Sequence, residues 1–160
     1  GLVGSEMCIR DSNIDPAVIE EALLGHDAVA FAGAIGQPDA HSGELPCVYV
    51  ELVAGATVSD EELIVYATNN IGEPGAKPKH LEILKELPKT AVGKVFKPDL
   101  RKMAITRIFD QTLSEKNAKA RVSGVKDDKK LGLVAQISGE ASDALIKEAL
   151  QDFTIPWERS

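Results

Sequence analysis

The stretch Leu87-Pro88-Lys89-Thr90-Ala91-Val92-Gly93-Lys94 decides how the rest of this sequence is read. Pro88 fixes its own φ and pushes Leu87 into an extended conformation, while Gly93 can take the positive φ that closes a tight turn. The turn therefore ends by presenting Lys94 at a loop tip. An ammonium there is a compact, mobile charge with three donors, suited to gripping a phosphate or a carboxylate. The stretch is not a P-loop, because Pro88 stands where that pattern needs glycine and Val95 stands where it needs a hydroxyl.

Working outward, the residues before the turn read as a strand over 80–87, with Leu81 and Ile83 alternating against Glu82 and Leu84. Ser59-Asp60-Glu61-Glu62 forms a capping box that starts a helix reaching about Ile71, with Val58 and Leu63 as its hydrophobic staple. Two further apolar runs, 28–35 and 46–53, read as strands separated by a turn-rich loop over 36–44. Asp15-Pro16 opens a first helix that runs to about Leu24, with Val18, Ile19, Ala22 and Leu23 as its buried stripe and Gly25 as its stop.

After the turn a helix is predicted over 100–113, then a hairpin of strands at 120–125 and 131–138, then a helix over 142–153. Trp157 anchors the tail. The fold class is thus α+β: a small domain with a three-stranded sheet and helices, followed by a helix-strand-strand-helix extension. Residues 13–103 form the first part and 104–160 the extension. Residues 1–12 carry neither an amphipathic period nor a targeting signal, and Ser5-Glu6-Met7-Cys8-Ile9-Arg10-Asp11-Ser12 resembles translated sequencing adapter. They are expected to be foreign.

Composition narrows the function. The 160 residues are 44% hydrophobic and 27% charged, which suits a globular chain, and no apolar run approaches the roughly 20 residues of a membrane-spanning helix. The net charge is −7: residues 1–103 hold 9 basic against 16 acidic side chains, and 104–160 hold 9 against 9. A nucleic-acid binder would show a basic face, so that class is set aside. Cys8 and Cys47 form no C-x-x-C pair and His26, His41 and His80 are scattered, so neither a metal site nor a disulfide is expected.

Three motifs recur in a telling order: Asn13-Ile14-Asp15-Pro16-x-x-Ile19-Glu20, Gly36-x-Pro38-Asp39-x-x-x-Gly43-Glu44, and Leu87-Pro88-Lys89-Thr90-x-x-Gly93-Lys94. With Lys77-Pro78 and Leu100-Arg101 they resemble the C-terminal lid domain of AMP-forming acyl-CoA synthetases. This adenylate-forming superfamily also includes luciferases and peptide-synthetase adenylation domains. The likeness covers about 13–103. It implies a two-step ligase reaction, in which a carboxylic acid attacks ATP to give an acyl-adenylate and pyrophosphate, and CoA then displaces AMP. Lys94 falls on the family's catalytic lysine, and Pro88, Lys89, Thr90 and Gly93 support it in the motif.

The resemblance further implies ATP and CoA as substrates, with Mg2+, in a full-length parent. There an N-terminal adenylation domain is the lid's partner, a fatty or other hydrophobic acid is the substrate, and the location is cytoplasmic. That domain would house the adenine, acyl and metal pockets, so this chain alone is expected to bind none of these tightly and to be inactive. Upstream of Asn13 the family carries a hinge residue and a glycine-rich loop; Arg10-Asp11-Ser12 stands there instead, and Asp11 is not assigned as a hinge. The alternatives are the lid of an adenylation domain that loads a carrier protein, and a noncatalytic interaction module in which Lys94 is an ordinary turn residue.

Overall fold

The computed structural model describes residues 6–9 and 12–160. Part of the expected foreign stretch and the Arg10-Asp11 position lie outside them. The chain divides into two compact units, one of 1–36 with 44–101 and one of 37–43 with 102–160.

In the first unit, β1 (Met7–Ile9) and β2 (Ser12–Ile14) form an antiparallel pair in which Met7 opposes Ile14. Helix α1 (Pro16–Leu24) follows, with the Asp15 carboxylate accepting the Ala17 N–H at 2.9 Å and Pro16 in the first turn. Strands β3 (Val29–Asp39) and β4 (Gly43–Leu52) come next. Helix α2 (Asp60–Asn70) starts where the capping box places it, with Ser59 Oγ accepting the Glu62 N–H at 3.1 Å. A short 3-10 turn (Pro74–Ala76) leads to β5 (His80–Ile83), which lies parallel to β4 with Cys47 opposite His80 and Val50 opposite Ile83. The sheet order is β2-β1-β4-β3, with β5 also paired to β4.

The α+β class read from the sequence holds, and the three expected strands are present. Their extents differ for local reasons. The 36–44 loop is mostly strand: the Asp39 carboxylate caps the N–H groups of His41 and Ser42, and Gly43 at φ +83° closes the turn. Pro38 is tolerated in β3 because β3 is an edge strand. The strand predicted to reach Leu87 ends at Ile83, since beyond the Leu84 N–H bond to the Val50 carbonyl the chain leaves β4. The sheet is also larger than the expected three strands, because β1 and β2 join it.

Period-2 alternation gives this sheet two differently used faces. Ala32 and Ala34 of β3, Val48 and Val50 of β4 and Leu81 of β5 pack with Ile19 and Leu23 of α1 and Leu63 and Ala67 of α2 in one core. The intervening positions, Phe31 and Gly33 on β3 and Tyr49 and Glu51 on β4, point to the opposite face. That face receives the chain from Leu87 onward.

Helix α3 (Lys97–Glu115) starts three residues earlier than predicted, since Pro98 is acceptable in a first turn. It continues into the second unit, where Ile105, Phe109 and Leu113 meet Val122, Ala135 and Ile137 in a separate core. Strands β6 (Ala120–Asp128) and β7 (Gly132–Gly139) form the expected hairpin, lengthened because Asp128 accepts the Lys130 and Leu131 N–H groups and Gly132 turns at φ +78°. Helix α4 (Asp143–Leu150) is capped by Ser142 and stops three residues short of the predicted Phe153. The extension also holds a strand the sequence reading lacked, β8 (Trp157–Arg159), parallel to β7 with Ala135 opposite Trp157.

Candidate functional site

The residues 88–96 fold into a miniature hairpin. Lys89 and Val95 pair as an antiparallel bridge, and the Pro88 carbonyl accepts the Phe96 N–H at 2.7 Å. Further out, the Thr90 N–H donates to the Lys94 carbonyl at 2.7 Å, the Gly93 N–H donates to the Thr90 carbonyl at 2.9 Å, and Thr90 Oγ1 accepts the Lys94 N–H at 3.2 Å. Gly93 sits at φ +84°, where a Cβ would be strained. The motif residues thus divide the work of building the turn, with Pro88 and Thr90 supplying the acceptors and Gly93 the reversal. Both backbone polar groups of Lys94 are used, so its position is set while its side chain is exposed.

Three contacts seat this hairpin on the sheet. At the entry, Glu51 Oε1 accepts the Leu87 N–H at 2.9 Å and the Lys89 ammonium at 2.7 Å, and the same ammonium lies 4.3 Å from the centre of the Phe31 ring. The Lys89 ammonium, then the Leu87 N–H, hold the Glu51 carboxyl below its usual range against the opposing effect of burial. At the exit, Glu20 Oε2 accepts the Lys97 ammonium at 2.8 Å and the Ala34 N–H at 2.8 Å. That second bond satisfies a backbone donor of edge strand β3. Between them, Val95 and Leu100 press on Gly33, where an added Cβ would stand 2.9 Å from Val95 Cγ1 and 2.7 Å from Leu100 Cδ1.

The electrostatic result is selective. Lys89 and Lys97, on either side of the tip, are each committed to a carboxylate. Among the described residues, no carboxylate lies within ion-pair distance of Lys94. The hairpin therefore offers one uncommitted cation at its tip. Sequence reasoning singled out the tip and missed its supports, Glu51, Glu20, Phe31 and Gly33. The available signal was Glu51 itself, the one charge in the apolar run 46–53.

Fold and geometry together define a small α+β domain that displays a single basic side chain on a braced hairpin. Residues 18–94 match the family model of the AMP-binding enzyme C-terminal domain. Among curated proteins, the marinolic acid–CoA ligase of Pseudoalteromonas sp. (strain SANK 73390) is 46% identical over 101 residues, 63% of this chain and 15% of the relative. The long-chain-fatty-acid–CoA ligase of Bacillus subtilis (strain 168) is 42% identical over 85 residues, 53% of this chain and 15% of the relative. Among solved structures, the Brucella canis acyl-CoA synthetase superposes with a TM-score of 0.56 at 31% identity, over 63% of this chain and 19% of that one.

Residues 18–94 are thus an AMP-binding enzyme C-terminal domain, a segment similar to part of adenylate-forming acyl-CoA ligases. The chain spans 15 to 19% of the length of the curated relatives it matches.

Among the described residues, no helix is long and apolar enough to cross a membrane.

Proposed function

We propose that residues 13–103 act as the lid of an AMP-forming acid–CoA ligase, and that Lys94 is its catalytic lysine in the adenylation of a carboxylic acid. The observation that carries this reading is the uncommitted Lys94 ammonium on a hairpin whose flanking lysines, Lys89 and Lys97, are already paired. Attack of a carboxylate on the α-phosphate of ATP builds negative charge on the phosphoryl oxygens. A cation held beside those oxygens in a closed, water-poor site stabilises that charge far more than one in bulk water. Among the lysines of this segment, Lys94 fits such a contact: it can donate to a phosphate oxygen and to the attacking carboxylate at once.

Adenine, acyl chain and Mg2+ would be held by an N-terminal adenylation domain, the partner against which the lid closes in the cytoplasm. CoA thiol would then displace AMP, giving an acyl-CoA. The relatives that act on marinolic and long-chain fatty acids support a hydrophobic acid as substrate. Residues 104–160 would serve as an appended subdomain.

The test is pyrophosphate release by the full-length enzyme with ATP, Mg2+ and a panel of carboxylic acids. Lys94→Ala is expected to lower adenylation by about 100-fold to 1000-fold, the scale of losing one preorganised charge-stabilising donor. Undiminished adenylation by that variant would sink the reading.

A further inference from the structure

We propose that Glu51 and Glu20 are positioning residues for Lys94, a pair of carboxylate clamps that hold the two ends of its hairpin so that the tip is presented in one orientation. The proposal rests on the catalytic reading of Lys94 given above, but its geometry stands separately. The two clamps are built alike. Each uses a single carboxylate oxygen to accept one backbone N–H and one lysine ammonium, and each lysine belongs to the segment that carries the tip. Glu51 takes Lys89, five residues before Lys94, and Glu20 takes Lys97, three residues after it.

The backbone halves of the clamps matter as much as the ion pairs. Glu51 binds the Leu87 N–H, so the entry to the hairpin is tied directly to β4. Leu87 is buried at 1% exposure, which fixes the same point by packing. Glu20 binds the edge of β3 through Ala34, so the exit is tied through Lys97 to that strand and to α1. Gly33 completes the seat by leaving room for Val95, the residue next to Lys94. Neither clamp needs to touch a substrate. Each acts through the hairpin, where a misplacement of about 1 Å at the tip can cost on the order of 100-fold in rate.

The clamps also explain a chemical economy in the hairpin. Three lysines within nine residues would all compete for an anion arriving at the tip. With Lys89 and Lys97 neutralised by dedicated glutamates, an anion meets Lys94 alone.

Backbone 15N relaxation on the whole 160-residue chain tests the idea. Glu51→Met removes both acceptors at nearly constant volume. It is expected to lower the order parameters of Ala91 to Lys94 from the rigid range near 0.85 to below about 0.6 while β3, β4 and α2 remain rigid. Glu51→Gln keeps an acceptor oxygen and should retain most of that order, whereas Glu61→Met, at an exposed helix start, should change nothing there. If Glu51→Met does not fold, Lys89→Met opens the same clamp from its partner side. An unchanged tip in the folded variant would overturn the proposal.

A second arm separates this outcome from failure of the catalytic reading. In the full-length ligase, Glu51→Met should lower kcat for adenylation by about 10-fold to 100-fold with little change in KM for the acid, and Glu51→Gln should recover much of it. Equal effects on kcat and KM in the two variants would count against positioning. Lys94→Ala should lower adenylation by about 100-fold to 1000-fold while leaving the tip's order intact; if it stays fully active, the catalytic reading falls and relaxation still judges the clamps.

Discussion

At the scale of single residues, the most constrained position in the lysine-bearing region is one without a side chain. Gly33 lies on β3 beneath Val95 and Leu100, and a Cβ there would approach Leu100 to 2.7 Å. Leu100 is fully buried, so it has little freedom to withdraw. Gly33→Val should therefore destabilise the fold by about 1–3 kcal/mol through overpacking. Gly72, which has open space around it and ordinary backbone, should accept alanine within about 0.5 kcal/mol. Urea denaturation of both variants distinguishes a close approach from a general intolerance of change.

Glu51 gives a prediction whose sign follows from its surroundings. Its carboxyl is held below the ordinary value, principally by the Lys89 ammonium, so folding favours the ionised form. The stability this contributes is fully present above the unfolded-state value of 4.5 and is lost as pH falls through the lower folded-state value. Glu51→Gln should consequently cost about 1–2 kcal/mol near neutral pH, and the gap from wild type should close on acidification. Urea midpoints measured from about pH 7 down to about pH 3 read the effect. A gap that widened in acid would contradict it.

Among elements, those fixed by local chemistry were legible from the residues alone. The cap of α2 at Ser59 and the start of α1 at Asp15-Pro16 needed only neighbours within four positions, and both stand where the pattern placed them. Ser59→Ala should cost about 1 kcal/mol, and Ser142→Ala at the start of α4 a similar amount, measurable as lowered Tm in each case. The elements that escaped depend on distant partners. β8 is a short strand paired in parallel to β7, well before it in the chain, and nothing in Trp157-Glu158-Arg159 announces that partner. The end of β5 was misjudged for the same reason: alternation continues to Leu87, but the edge of β4 does not accompany it. The lysine tip was legible because Pro and Gly punctuate locally. Its supports come from β3, β4 and α1, far away in the sequence: Glu51 stands 38 positions before Lys89, and Glu20 and Lys97 meet only in the fold.

For the molecule as a whole, the decisive quantity is the environment of Lys94 rather than its identity. On this chain the side chain is exposed at a hairpin tip, and a charge pair about 4 Å apart in water is worth only about 1 kcal/mol. Closed against a second domain, at an effective dielectric near 20, the same pair is worth about 4 kcal/mol. The difference of about 3 kcal/mol corresponds to a rate factor of more than about 100. It is available only when another surface excludes water and holds the phosphate in line. This chain alone, mixed with ATP, Mg2+ and a carboxylic acid, should accordingly release pyrophosphate no faster than its Lys94→Ala variant. Under the proposed lid role, addition of a separately produced adenylation domain should restore a difference between the two. A coupled pyrophosphate assay decides it: turnover by the lone chain above the variant would mean that the hairpin assembles its own site, and the division of labour between lid and adenylation domain would have to be abandoned.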